Sequence, residues 1–259
     1  MTTATIQRSG RAELRLGAVL LALTAAAWVL SADRMAGMDT APGAQLGGID
    51  WFALTWLLMM AAMMLPALAP MLVVLARRAT DVAAPPLFAA CYLASWVAAG
   101  LLGYAAIEGM HSLDPGFLAW GDAGRYVAAG TIAAAGLYQL SAAKDACLRR
   151  CRERAAFLCD RWRRGRLGAL RMGIEHGSWC IGCSWALMAA LFALGWMSLI
   201  WMALGTVLIT AERVLPRGAR LAVALVLVVL GTWIALAPGG VPGLTVPHPA
   251  PMGGMEAMR

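Results

Sequence analysis

Long apolar runs separated by short polar stretches constrain this chain more than any single motif does. Crossing about 30 Å of hydrocarbon takes roughly 20 residues of helix. Runs of about that length fall at 14–31, 51–76, 86–107, 125–143, 173–194, 196–211 and 220–237. A backbone in lipid must satisfy its own hydrogen bonds, which leaves helices for such segments. The reading is an all-α, polytopic membrane helix bundle of about seven transmembrane helices. Composition agrees, because 61% of the residues are hydrophobic and only 14% charged, far from the balance of a soluble domain. Segment 196–211 is slightly short for a span, and the region 173–211 reads as a tight hairpin turning at Gly195.

Cytoplasmic loops collect lysine and arginine. With the N-terminus inside, all but Arg34, Arg125 and Arg259 of the 21 basic residues fall on the cytoplasmic side, whereas the 14 acidic residues divide evenly. This places the N-terminus inside and the C-terminus outside. Residues 1–13 are then a cytoplasmic N-terminus and 14–237 a single transmembrane domain with a basic cytoplasmic helical loop at 143–172. Residues 238–259 form a Met/Pro/Gly-rich extracytoplasmic tail. Arg8, Arg11 and Arg15 ahead of an apolar stretch ending at Ser31-Ala32 also fit a signal peptide. The apolar run reaching Leu30 favours a retained helix. The net charge of +7 is concentrated between Lys144 and Arg171. In a loop between membrane helices that charge meets anionic lipid headgroups rather than nucleic acid. Ala143–Leu170 has good helix formers and no proline, which predicts an amphipathic helix at the membrane surface.

Six cysteines sort by position: Cys91 in the third span, Cys147, Cys151 and Cys159 in the basic loop, Cys180 and Cys183 in the fifth span. None falls in a predicted external loop, which weighs against a disulfide scaffold. Cys180 and Cys183, at i and i+3, project into one groove between helices. Thiolates at this spacing chelate copper(I) or zinc, and soft sulfur in an apolar setting favours copper(I). The same spacing also suits a redox pair, and the small residues around it, Gly177, Ser178, Gly182 and Ser184, also suit close helix packing. Cys147 and Cys151, at i and i+4, share a helix face and either bind metal together or are ordinary thiols.

The second span holds Met59, Met60, Met63 and Met64 in two adjacent i, i+4 rows, followed by Pro66 and Pro70. Proline frees carbonyls from helical pairing, and a kink beside a thioether-lined face suits a soft cation, although methionine also fills gaps in apolar cores. Met188 lies just beyond the cysteine pair. Outside the bilayer, Met35 and Met38 in the first external loop and His248, Met252 and Met255 in the tail have no core to fill. They read as collectors of copper(I) at the outer face, or as incidental residues of a disordered tail.

The run Gly136-Leu137-Tyr138-Gln139-Leu140-Ser141 with Lys144, Cys147-Leu148 and Cys151-Arg152, then Gly177, Cys180-Ile181-Gly182-Cys183, Trp185, Leu187-Met188, Gly195-Trp196-Met197 and Glu212, resembles one known family. It is the bacterial predicted metal-binding integral membrane proteins, a domain of unknown function some of whose members are labelled copper chaperones. Ala61-Ala62-Met63-Met64-Leu65-Pro66 fits the same pattern, and the matches cover about residues 50–215. Family members often carry two adjacent cysteines where this chain has Cys183-Ser184. That departure gives Met63, Met64 or Met188 more weight as further ligands. The resemblance implies metal binding and a polytopic fold in the bacterial inner membrane.

Other chemistry finds no support. No Gly-rich phosphate loop suggests ATP-driven pumping. His111, His176 and His248 are too scattered for a three-ligand catalytic zinc site. Glu175 and Glu212 sit at predicted cytoplasmic helix ends, Glu175 at a helix N-terminus and Glu212 beside Arg213. The expectation is a non-enzymatic copper(I)-binding or chaperoning membrane protein, with zinc the lesser candidate. Its expected partners are the lipid bilayer, a metal ion and a metalloprotein or membrane complex, not nucleic acid. A metal transporter and a non-metal assembly scaffold are the alternatives.

Overall fold

The computed structural model describes residues 3–36, 46–113, 124–153, 161–195, 198–215 and 218–241. Among them are eight α-helices: α1 (Thr3–Met35), α2 (Ile49–Arg78), α3 (Ala84–Leu113), α4 (Arg125–Tyr138), α5 (Ala142–Arg152), α6 (Gly165–Gly195), α7 (Leu199–Val214) and α8 (Gly218–Leu236). A short 3-10 turn, Pro238–Gly240, follows α8. No strand occurs among the described residues.

Five stretches are long and apolar enough to cross a membrane: Leu14–Met35, Ile49–Arg78, Ala84–Met110, Gly165–Gly195 and Gly218–Leu236. The other two segments read as spans, 125–143 and 196–211, form helices of 14 and 16 residues. At 1.5 Å per residue these reach only about 21 and 24 Å, short of the roughly 30 Å of hydrocarbon. The outward faces carry Leu14, Leu21 and Val29 on α1 and Leu221, Leu225 and Leu236 on α8, all exposed. An apolar surface this extensive suits lipid rather than water.

α1 packs on α2, α2 on α3, α3 along α6, and α4 along α8, while α6 also receives α4 and α5 and α7 lies against α2 and α6. At one end of the bundle Phe52, Trp56, Tyr104 and Phe192 form an aromatic cluster, with Phe52–Tyr104 and Trp56–Phe192 centroids 4.9 and 5.2 Å apart. Trp56 Nε1 donates to the Trp96 carbonyl at 2.8 Å. The basic residues of α5 and of the start of α6 mark the opposite end. Pro66 and Pro70 both lie inside α2, which carries on to Arg78.

Among its described residues the basic loop holds the helices α5 and the start of α6, with residues 161–164 outside both, instead of one continuous helix from Ala143 to Leu170. α4 stops at Tyr138, and Ser141, extended at ψ 148°, caps α5 by accepting the Lys144 N–H at 3.1 Å. α5 ends at Arg152, and α6 starts at Gly165, whose φ of +76° is open to glycine and strained for other residues. The first two turns of α6 therefore belong to the loop, and its 31 residues extend about 46 Å.

Candidate metal centre

The site is built where α6 meets three other helices. Cys180 and Cys183 are both buried on its inner face. α3 comes unusually close because Gly173 and Gly177 repeat at i, i+4 along the contact. A Cβ on Gly173 would stand 2.5 Å from the Phe88 carbonyl oxygen, and one on Gly177 2.8 Å from Ser95 Cβ. Small residues at this spacing let helix backbones approach. Between these two contacts on α3, Tyr92 places its hydroxyl 3.0 Å from Cys180 Sγ. Gly177→Leu is expected to push α3 off α6 and lower stability by about 1–3 kcal/mol, as overpacking does. Gly103, with nothing within 4 Å of its Cβ position, gives the control: Gly103→Leu should unfold with wild-type thermal stability in detergent.

α7 contributes Arg213 near its C-terminal end. Its guanidinium is buried, and Nη2 donates to Cys180 Sγ at 2.6 Å. α5 contributes a third thiol. Cys183 Sγ lies 3.8 Å from Cys151 Sγ in a hydrogen bond, 3.2 Å from the Cys180 carbonyl oxygen and 3.4 Å from Ser184 Oγ. Cys151 also interacts with the Cys180 thiol. Three sulfurs from two helices thus meet beside a guanidinium and a phenol. Among the described residues no set of three or more His, Cys, Asp or Glu side chains is closed into a ready-made metal site. The sulfurs are a donor set, with a cation already hydrogen-bonded to one member.

α5 reaches this position because it is clamped. Lys144 Nζ meets Glu212 Oε2 at 2.6 Å with both side chains buried. Arg152 donates to the Glu212 carbonyl and, at 2.7 Å, to that of Leu215, using carbonyls that the end of α7 leaves without helical partners. Asp145 pairs with Arg220 of α8 at 2.9 Å and with Arg149. Arg150 stacks over the Trp179 ring, 4.5 Å from its centroid. α5 buries Lys144, Leu148 and Cys151 against the bundle.

Cys147 and Cys151, one turn apart on α5, both meet α6. Cys151 joins the α6 pair, while Cys147 packs against Gly182, its sulfur 2.8 Å from where a Cβ there would be. Partial burial holds the Cys147 thiol above its ordinary range, against the opposing pull of Arg150 and Lys144. A raised thiol has less thiolate at neutral pH, and only the thiolate is nucleophilic. Maleimide labelling of Cys147, followed by mass spectrometry, is expected to lag an exposed cysteine peptide near neutrality and to catch up as pH rises. Equal rates at neutral pH would contradict this.

Met59, Met60, Met63, Met64 and Met188 are all buried. Met63 Cε and Leu191 flank Gly205 of α7, and Leu191 is eight residues beyond Cys183, about 12 Å along α6. Met35 is the last residue of α1 and belongs to the apolar core, so packing does explain it. Met38, His248, Met252 and Met255 lie outside the described residues. Two charge expectations also change. Glu212 pairs with Lys144 instead of an arginine. Glu175 sits in the eleventh position of α6 and pairs with Arg161 at 2.8 Å, because α6 begins eight residues earlier than the apolar run suggests.

Tyr92 and Arg213 are the two site residues that sequence reasoning passed over. The signal for Arg213 was its place beside the last apolar residues of α7. Tyr92 carried none, being one aromatic in an apolar run.

The fold and the site define a class: an all-helical bundle with helices of membrane-crossing length and a buried cluster of three thiols. Within that class the chain belongs to the PpoB2 copper chaperone family, whose model matches residues 53–235. That stretch runs from α2 to the end of α8 and includes every residue of the sulfur cluster. No curated protein and no solved structure matches the chain.

Proposed function

We propose that this protein is a non-enzymatic, multi-pass protein of the bacterial inner membrane that binds and hands on copper(I) through Cys180, Cys183 and Cys151. The observation that carries this reading is the meeting of Cys151 from α5 with the Cys180/Cys183 pair of α6. Its Sγ–Sγ separation of 3.8 Å matches two thiolates on one metal ion, which at about 2.3 Å each in a tetrahedral arrangement stand about 3.8 Å apart. Thiolate donors select soft ions such as copper(I). Membership of a copper chaperone family supports the choice of metal. Cys151 then serves as the third sulfur that Ser184 does not supply.

In this reading seven helices cross or enter the membrane, the N-terminus and α5 are cytoplasmic, and the site lies at the cytoplasmic end of the bundle. Copper(I) collected outside by Met38, His248, Met252 and Met255 would have to pass the buried α2 methionines, which favours a transporter as the second reading. The test of the first is metal analysis of the detergent-purified protein after equal exposure to copper(I) and zinc. Near-stoichiometric copper that depends on Cys180 and Cys183 supports it, and a protein that takes up none overturns it. Copper uptake into sealed liposomes separates a transporter from a chaperone.

A further inference from the structure

A cavity of about 340 Å³ opens between the end of α2, the start of α3 and the start of α6. That volume is within the range of small-molecule sites. Arg78, Thr80, Arg163 and Arg164 line it as exposed residues, above an apolar floor that includes the buried Ala169 and Met172. Two glycines bring the arginine pair there. Gly165 takes φ +76°, and a Cβ on Gly168 would collide with the Arg163 carbonyl, so the chain folds Arg163 and Arg164 back over the start of α6. Among the described residues no carboxylate pairs with either of them. Asp81, the acidic residue on the lining, accepts the Ala83 N–H at 2.9 Å and Arg166 Nε at 3.0 Å, and Arg161 is taken by Glu175. Guanidiniums gathered at one concavity repel one another, and an anion between them relieves that repulsion.

We infer that this cavity is a binding site for an organic phosphate anion, held at its rim by Arg163, Arg164 and Arg78. Guanidinium forks match phosphate oxygens two at a time, and the Thr80 hydroxyl adds a donor. Gly165, which begins α6, is itself a lining residue, so the helix N-terminus with its unpaired N–H groups borders the site. The apolar floor receives the carbon skeleton attached to the phosphate. The headgroup of an anionic phospholipid and a soluble organic phosphate share this chemistry. A position level with the ends of membrane-length helices favours the headgroup, since basic pockets between such helices hold anionic lipids. Ala169 is eleven residues before Cys180 on α6, about 16 Å by helical rise. The site is therefore separate from the sulfur cluster and does not depend on the metal reading.

The test uses the full-length protein in detergent, freed of bound lipid: wild type, Arg163→Gln/Arg164→Gln, Thr80→Glu and the charge-matched control Arg15→Gln/Arg171→Gln. Arg15 and Arg171 are exposed and do not line the cavity. Each protein is titrated with phosphatidylglycerol, with glycerol 3-phosphate and with phosphatidylcholine, and adducts are counted by native mass spectrometry. Wild type and the control are expected to take one saturable phosphatidylglycerol, with phosphatidylcholine bound more weakly. Arg163→Gln/Arg164→Gln should weaken that adduct roughly 10- to 100-fold, the range for losing one hydrogen bond to a charged group. Thr80→Glu sets a carboxylate at the rim and should weaken it too. Glycerol 3-phosphate showing this pattern without phosphatidylglycerol keeps the site and makes its occupant soluble. Equal weakening in the cavity and control variants means general attraction to a basic surface and overturns the inference. So does phosphatidylcholine bound as tightly as phosphatidylglycerol, or a wild type in which neither anionic probe saturates at one copy. If Arg163→Gln/Arg164→Gln does not fold, Thr80→Glu decides, because wild-type affinity in that variant also overturns the inference.

Discussion

Replacing Cys180 and Cys183 together by serine is expected to abolish tight copper binding, while Cys151→Ser weakens it. The asymmetry follows from geometry. Cys180 and Cys183 share one rigid helix, so their relative position is held by α6 itself. Cys151 arrives on α5 and contributes through a 3.8 Å contact with Cys183. Loss of Cys151, as a ligand, should cost at least the roughly 10- to 100-fold in affinity that losing even a group behind a metal's ligands costs. Metal content per protein after gel filtration reads the first effect, and competition with a copper(I) chelator the second. The double variant also strips Arg213 of its sulfur partner, so its content must be measured on the monodisperse fraction. Copper unchanged in that fraction would move attention to the buried methionines.

The second large effect is on stability. Lys144→Met leaves Glu212 buried with its carboxylate unpaired, and breaking a buried pair from one side costs about 3–5 kcal/mol. Lys144 and Glu212 are both essentially inaccessible, so water cannot take over the role of the missing ammonium. Replacing both, as Lys144→Met/Glu212→Leu, should recover much of the loss, because exchange of a buried ion pair for apolar side chains is often close to neutral. Denaturant unfolding in mixed micelles measures the pattern. A single variant as stable as wild type would mean that α5 is not held by this pair. The loosened α5 should also expose Cys151 to a water-soluble thiol reagent faster than in wild type.

Much of this was legible before any coordinates. Apolar runs located α1, α2, α3, α6 and α8, because a helix in lipid writes its length directly into composition. The Cys180/Cys183 pair was legible for a similar reason: i, i+3 spacing is a local property of α6. What escaped was tertiary. The shared face of Cys147 and Cys151 is visible in sequence, yet the bundle against that face, which brings Cys151 to Cys183, is not. The break in the basic loop had a written signal, Gly165 at the start of α6, but good helix formers on both sides masked it. Arg213 counted as one more positive charge near a cytoplasmic end. Its partner is 33 positions away on another helix, and no spacing rule connects them.

The clamp on α5 bears on any attempt to rebuild this site elsewhere. Grafting Gly177–Met188 onto a new bundle would transfer two thiols and nothing else that they touch. The smallest portable unit is a four-helix corner: α6 with its glycine track, the part of α3 that presents Tyr92, the last turn of α7, and α5 pinned to the carbonyls of that turn. A designer who shortens the basic loop as dispensable connector would delete a ligand together with the strut that carries it.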